Sequence, residues 1–159
     1  MAVIRWKNPR DTPGIVRLVR TQLVPLSPWH HPGDSRLYGE VVRRLREGET
    51  LVVSQGRRSQ PLAFLHLIVR GTTLFIDLLA VDPAYQNRHW GTALMRRAEE
   101  YGLSKGCTGA MLYVDEDNDR AHGFYRRLGY RTVRHIKELR CYQLEKPLYP
   151  ASGGWPMGW

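Results

Sequence analysis

The stretch Leu79-Ala80-Val81-Asp82-Pro83-Ala84-Tyr85-Gln86-Asn87-Arg88-His89-Trp90-Gly91-Thr92-Ala93-Leu94 decides the fold. Its first three residues end an apolar run, Thr73 to Val81, that reads as a strand. Pro83 breaks the run. From the far side of the loop, Leu94, Ala98 and Tyr101 recur at helical spacing, while Arg96, Arg97, Glu99 and Glu100 take the opposite face. A strand, a short loop and a helix that opens on Gly91 and Thr92 suit an anion. The first-turn N–H groups are free and the helix dipole adds to them. Gly91 allows close approach to the backbone, and Arg88 adds charge. Neither GxxxxGK[ST] nor GxGxxG is present. The alternative reading is an ordinary strand–helix connection.

Working outward, Ala110 to Val114 is short and wholly apolar, as a buried parallel strand should be. The helix between it and the Thr73–Val81 strand is then a crossover, so those two strands run parallel. Upstream, Leu51–Ser54, Leu62–Arg70 and Thr73–Val81 form an antiparallel meander turned at residues 55–59 and at Gly71. Val3 to Trp6 is a further short strand. Thr12 as N-cap and Pro13 at the first helical position begin a helix that carries Ile15, Leu18, Val19 and Leu23. The prolines in residues 25–33 force a loop. Asp34 or Ser35 then caps a helix with Leu37, Val41 and Leu45 on one face, ended by Gly48. Downstream, Asn118 caps a helix carrying Ala121, Phe124, Tyr125 and Leu128. Tyr130–Arg134 and Leu139–Leu144 are the last strands. The fold class is mixed α/β: a mostly antiparallel sheet of about seven strands with one parallel pair and helices on both faces.

The length, 159 residues, suits one domain with a real core. We expect it over residues 1–148, with residues 149–159 a Pro/Gly/Trp tail; the compositional break begins at Pro147. Hydrophobic residues at 42% and charged residues at 25% exclude a disordered chain. No apolar run reaches the roughly 20 residues of a membrane helix, and the first residues lack a secretory pattern, so a cytoplasmic protein with no membrane partner is expected. Cys107 and Cys141 form no CxxC pair, which excludes a disulfide scaffold and a cysteine zinc site. The net charge of +9 comes from arginine, since Lys7, Lys105, Lys137 and Lys146 are the only lysines. Such a surplus suits anionic partners or is a solvated surface.

Leu79-Ala80-Val81-x-Pro83-x-Tyr85-Gln86-x-x-x-x-Gly91-Thr92-Ala93-Leu94 resembles the acetyl-CoA signature of the GCN5-related N-acetyltransferases (GNAT). Asn118-x-x-Ala121-x-x-Phe124-Tyr125-x-x-Leu128-Gly129-Tyr130 resembles that family's second signature, and Leu144-Glu145-Lys146-Pro147-Leu148 its last strand. The element order matches the family's over residues 3–148. His89 and Asn87 depart from it, standing where glycines are usual. A side chain at 89 either crowds the pyrophosphate or donates a hydrogen bond to it.

The resemblance implies transfer of an acetyl group from acetyl-CoA to a primary amine by direct attack. It implies that the parallel strands splay, with the cofactor arm along Leu79, Ala80 and Val81. The backbone of Gln86, Asn87, Arg88, His89, Trp90, Gly91 and Thr92 then holds the phosphates, with Arg88 as the nearest cation. Asn118 reads equally as a cofactor contact or a plain helix cap. Tyr125 is the implied acid for the departing thiolate, its ring also suited to the core. Asp77, placed on one strand face with Phe75, Leu79 and Val81, is the candidate base or else a carboxylate satisfied by backbone N–H groups. Partial desolvation would raise its pKa and suit it to that work. Trp29, His30 and His31 lie in a loop that often lines the acceptor pocket in the family, or else is simply an exposed loop; no metal site is expected.

The acceptor is the least determined part. Among Asp34, Glu40, Glu47, Asp77 and Glu138 there are few carboxylates for a polycation, and the chain is basic. A small-molecule amine is expected. Alternatives are a protein N-terminus or lysine, an aminoacyl-tRNA, and a CoA-binding module without catalysis. RNA is a lesser expectation, because aromatic residues do not interleave the basic ones outside the tail. A homodimer is expected, the tail tryptophans being suited to a subunit contact.

Overall fold

The computed structural model describes residues 1–26, 33–56 and 58–150. The chain builds β1 (Val3–Trp6), α1 (Thr12–Leu18), α2 (Leu37–Leu45), β2 (Glu49–Ser54), β3 (Ala63–Arg70) and β4 (Thr73–Val81). It continues through α3 (Trp90–Ser104), β5 (Gly109–Asp115), α4 (Asp119–Arg127), β6 (Arg131–Ile136) and β7 (Cys141–Pro147). The seven strands form one sheet in the order β1-β2-β3-β4-β5-β7-β6, with β4 and β5 the parallel pair.

Period-two alternation divides the strands between two cores. Leu51, Val53, Leu65 and Leu67 face α3 and α4, where they meet Leu94, Met95 and Ala98. Val52 and Phe64 face α1 and α2, where they meet Ile15, Leu18 and Val41. The domain core extends to Leu148, which is buried and donates its N–H to the Thr108 carbonyl. The tail tryptophans, Trp29, His30 and His31 lie outside the described residues.

Three local expectations are corrected. Thr12 is inside α1 and caps nothing; the capping device lies a turn earlier, where Pro9 opens a short 3₁₀ turn. Asn8 Oδ1 accepts from the Arg10 N–H at 2.9 Å, and Asp11 accepts from the Asn8 N–H at 2.8 Å. Arg36, not Asp34 or Ser35, is the N-cap of α2, although Asp34 Oδ1 accepts from its N–H at 2.9 Å. The last strand begins at Cys141, because Lys137–Leu139 coil into a turn that Arg140 closes at φ 54°.

Two irregularities position the site. Past α1 the chain widens into a π-helical turn at Val19–Leu23, a feature often found beside functional sites. In β4, the pairing with β3 runs from His66↔Leu78 to Leu67↔Ile76, so Asp77 is an extra, unpaired residue: a β-bulge. The extra residue reverses the alternation. Ile76 and Leu79 therefore both face the α3 core, while Leu78 faces α1 and α2. The parallel pairing also stops here, running only from Thr73↔Gly109 to Phe75↔Met111. Beyond it β4 and β5 part.

Candidate active site

Two cavities, of about 370 Å³ and 460 Å³, are built around the gap between β4 and β5. Leu23, Leu79, Asn118, Ala121 and Tyr125 belong to the walls of both. Past Phe75 the side of β4 toward β5 has no strand partner. The alternate backbone groups of Ile76 to Val81 that do not bond β3 therefore face this gap.

The larger cavity gathers the end of β4, the loop after it, the first turn of α3 and one side of α4. Leu79, Ala80, Val81, Gln86, Asn87, His89, Trp90, Gly91, Thr92, Asn118 and Tyr125 all line it. Asn87 and His89 hold left-handed backbone, at φ 63° and 65°. The loop thus keeps the shape a glycine would give it, with two residue types that tolerate that region better than most. His89 is the N-cap of α3 and makes no side-chain capping bond. The first-turn N–H groups of α3 are left for another acceptor. Gly91 also lies close against α4, since a Cβ there would stand 3.2 Å from Phe124 Cζ. Gln86 braces the loop, its Nε2 donating to the Val81 carbonyl at 3.0 Å and to Gln22 Oε1 at 3.4 Å.

Arg88, the expected cation, does not line this cavity. It is exposed and its guanidinium sits 5.5 Å from the centre of the Tyr85 ring. The cations in the wall are Arg120 and Arg127 of α4. Asn118 caps α4, its Oδ1 accepting from the Ala121 N–H at 3.1 Å, and stands between the cavities. The Tyr125 ring is fixed edge-on against Phe124 and Tyr130, with centroids 5.0 Å and 5.9 Å away. Burial pushes its hydroxyl above the ordinary tyrosine range, so it holds its proton at neutral pH.

The smaller cavity has mostly apolar walls with Glu40, Arg44, Asp77, Tyr113 and Asp115 among them. Asp77 does not share a face with Leu79 and Val81 as the alternation predicts. The bulge turns it toward α2, on the side of Phe64 and His66. Its side chain is 2% exposed and Arg44, 51% exposed, grips it as a fork. Arg44 Nε donates to Oδ1 and Oδ2 at 3.0 Å and 2.9 Å, and Nη2 to Oδ1 at 2.6 Å. The other carboxylates considered lie elsewhere: Asp34 pairs with Arg36, Glu47 with Arg70, and Glu138 sits in the turn before β7.

The family model described as "Acetyltransferase (GNAT) family" matches residues 15–130. The chain belongs to this family. Acetyltransferases of the GNAT family use acetyl-CoA. The thialysine N-epsilon-acetyltransferase of Bos taurus is 26% identical over 76 residues, 48% of this chain and 45% of that enzyme. The chain therefore spans less than half the length of that relative. The solved structure of Ard1 from Thermoplasma volcanium superposes with a TM-score of 0.75 at 21% identity, covering 94% of this chain and 99% of that one. The PaiA N-acetyltransferase of Thermoplasma acidophilum, solved in complex with coenzyme A, gives 0.73 at 19% identity over 92% and 99% of the two chains.

Two parts of this GNAT site escape a reading of the sequence by motif. Arg120, Phe124 and Arg127 form an i, i+4, i+7 stripe along the side of α4 that lines the larger cavity, a spacing visible in the sequence once the helix is placed. Glu40 and Arg44 form the matching i, i+4 pair on α2. Asp115, at the end of β5, has no signal beyond its place next to an apolar strand.

Proposed function

We propose that this chain transfers the acetyl group of acetyl-CoA to a primary amine carried by a small molecule. The observation that carries the reading is the meeting of the two cavities at Leu79, Asn118 and Tyr125, where β4 and β5 part. A transfer without a covalent enzyme intermediate needs donor and acceptor side by side with water excluded, which this arrangement suits.

The larger cavity fits a phosphate-bearing cofactor: free N–H groups of α3, a loop set by Asn87 and His89, and Arg120 and Arg127 at its side. Acetyl-CoA, when bound, supplies an acetyl group activated as a thioester. The backbone of Leu79 to Val81 positions and polarises that group's carbonyl. Tyr125 holds a proton, in a protonation state burial secures, for the departing sulfur. In the smaller cavity Glu40, Asp77 and Asp115 outnumber Arg44, although the whole chain carries +9. A local excess of carboxylates against the global charge selects a cationic amine. The size of the cavity and the apolar walls from Val19, Leu37 and Val41 favour a small acceptor with an aliphatic body. The likeness to a thialysine acetyltransferase supports the same class. Asp77, gripped by Arg44, stands in the wall of this cavity where it can attract the ammonium and pass its proton on.

Calorimetry with acetyl-CoA tests the first half, and release of free thiol with a panel of primary amines tests the second. Saturable binding followed by amine-dependent thiol release is the expected result. Binding with no release across amines, amino acids and peptides would leave a CoA-binding module.

A further inference from the structure

Among the described residues one buried side-chain polar atom lacks a hydrogen-bond partner: Nε2 of His66. Unpaired polar atoms in a core are costly and rare, so this one calls for a reason. His66 is on β3, fully buried, and register-paired with Thr50 of β2. Its Nδ1 lies 2.8 Å from Thr50 Oγ1. Its Nε2 lies 3.7 Å from Asp77 Oδ2, on the side of that carboxylate away from solvent. The bulge in β4 that turns Asp77 off the regular alternation is what brings these two together.

Among the described residues two charged side chains act on the ring. Asp77 of β4 faces it directly, and Arg44 of α2 stands beyond Asp77. The backbone carbonyls of Arg44, in the last turn of α2, and of Glu47, just past it, also favour its protonated form. Burial acts the other way and dominates, so the imidazole stays below its ordinary value and is neutral at neutral pH.

We propose that His66 is a positioning residue of the acetyl transfer, holding at Nε2 the proton that Asp77 relays from the acceptor nitrogen. This rests on the amine-acetylating role assigned above. The acceptor's N–H bond breaks and the electron pair stays on nitrogen, which becomes the nucleophile. The proton crosses Asp77 Oδ2 to Nε2, forming an imidazolium, and returns to solvent by the same route after the product leaves. An imidazole is ordinarily the stronger base of the two, and the ion pair that a protonated ring would form with Asp77 offsets part of the cost of its burial. The gap of 3.7 Å must shorten to hydrogen-bond length, as commonly happens when a substrate completes a site. The neutral ring must also be the tautomer whose Nδ1–H donates to Thr50 Oγ1, leaving the Nε2 lone pair toward Asp77.

Long-range ¹H–¹⁵N imidazole spectra of the labelled full chain, followed through a pH titration, test this without any turnover. The expected result is a neutral Nδ1–H tautomer that protonates at Nε2. Its midpoint should move down in Asp77→Asn and up in Arg44→Met. An Nε2–H tautomer, or a midpoint indifferent to both substitutions, overturns the proposal. In turnover with an amine selected by the thiol-release panel, His66→Gln should lower kcat about 10²-fold, the low end for loss of an acid–base group. It should also abolish the acidic inflection of the pH–rate profile and leave the KM for acetyl-CoA unchanged. A retained inflection overturns it too. Failure of the amine panel would remove the assigned activity, whereas the spectra report on His66 alone.

Discussion

The unusual residues of the cofactor loop are Asn87 and His89, side chains held in a left-handed backbone. That conformation costs an L residue roughly 1–2 kcal/mol, less for Asn, because Cβ crowds the carbonyl. His89→Gly should therefore stabilise the protein by about 1 kcal/mol, or some 2–4 °C in Tm for a domain of this size, read by thermal unfolding. Acetyl-CoA affinity in the same variant reports on the side chain alone, since the loop's shape is already that of the glycine form. Weaker binding would show that the imidazole contacts the pyrophosphate; tighter binding would show that it crowds it. Tyr125 makes a second residue-level prediction. Its ring is held by Phe124 and Tyr130, so Tyr125→Phe should fold normally. It should lower kcat about 10²-fold, the low end for loss of a general acid, because a thiolate leaves readily. Acetyl-CoA binding by calorimetry should not change. An unaltered kcat would take Tyr125 out of the mechanism.

At the scale of elements, α4 carries two functional faces. Ala121 and Tyr125 face the junction of the cavities, while Arg120, Phe124 and Arg127 face the larger one. Both arginines are exposed, so each should act as a screened partner of a phosphate rather than a buried clamp. Arg120→Gln and Arg127→Gln should each weaken CoA binding about fivefold, near 1 kcal/mol, and reduce its salt dependence. Arg88→Gln, whose cation is over Tyr85, should change binding less than either; calorimetry at two ionic strengths separates them. This helix also shows what a sequence discloses. The strand–loop–helix around Gln86 to Leu94 was legible because the hydrophobic period changes from two to three or four there, and the parallel pairing of β4 with β5 followed from the crossover it implies. The face of Asp77 was not, because the bulge depends on how β4 meets β3, and one extra residue reverses all the alternation beyond it. The capping errors were of the same kind: Thr12 is a good cap by type, but Pro9 and Asp11 begin the helical turns earlier. Proximity in sequence to Gly91 put Arg88 first, whereas the cations in the wall of the larger cavity come from a helix some thirty residues later.

The molecule as a whole separates its charges. Arginine dominates a chain of +9, yet Glu40, Asp77 and Asp115 collect in one cavity and His66 is buried neutral behind them. That burial links the site to the stability of the whole fold. The folded-state pKa of His66 lies below the ordinary value of 6.5, so between the two the unfolded chain binds the extra proton. Stability therefore rises with pH across that window: it is complete above about 6.5 and is lost as pH falls toward the folded-state value. One proton gives a slope approaching about 1.4 kcal/mol per pH unit. Glu116, which His135 and Arg140 hold below the usual carboxylate range, has the same sign of dependence but acts in a separate window, below 4.5. Urea unfolding followed from pH 7.5 to 5 should thus show a decline in wild type that His66→Gln flattens, even if the variant is less stable throughout. A slope of opposite sign above pH 6.5, with wild-type stability falling as pH rises there and His66→Gln not following, would mean that His66 stays protonated in the fold, with Asp77 and the carbonyls of Glu47 and Arg44 outweighing its burial. The acceptor cavity would then present Asp77 already neutralised from behind, leaving Glu40 and Asp115 to attract the amine.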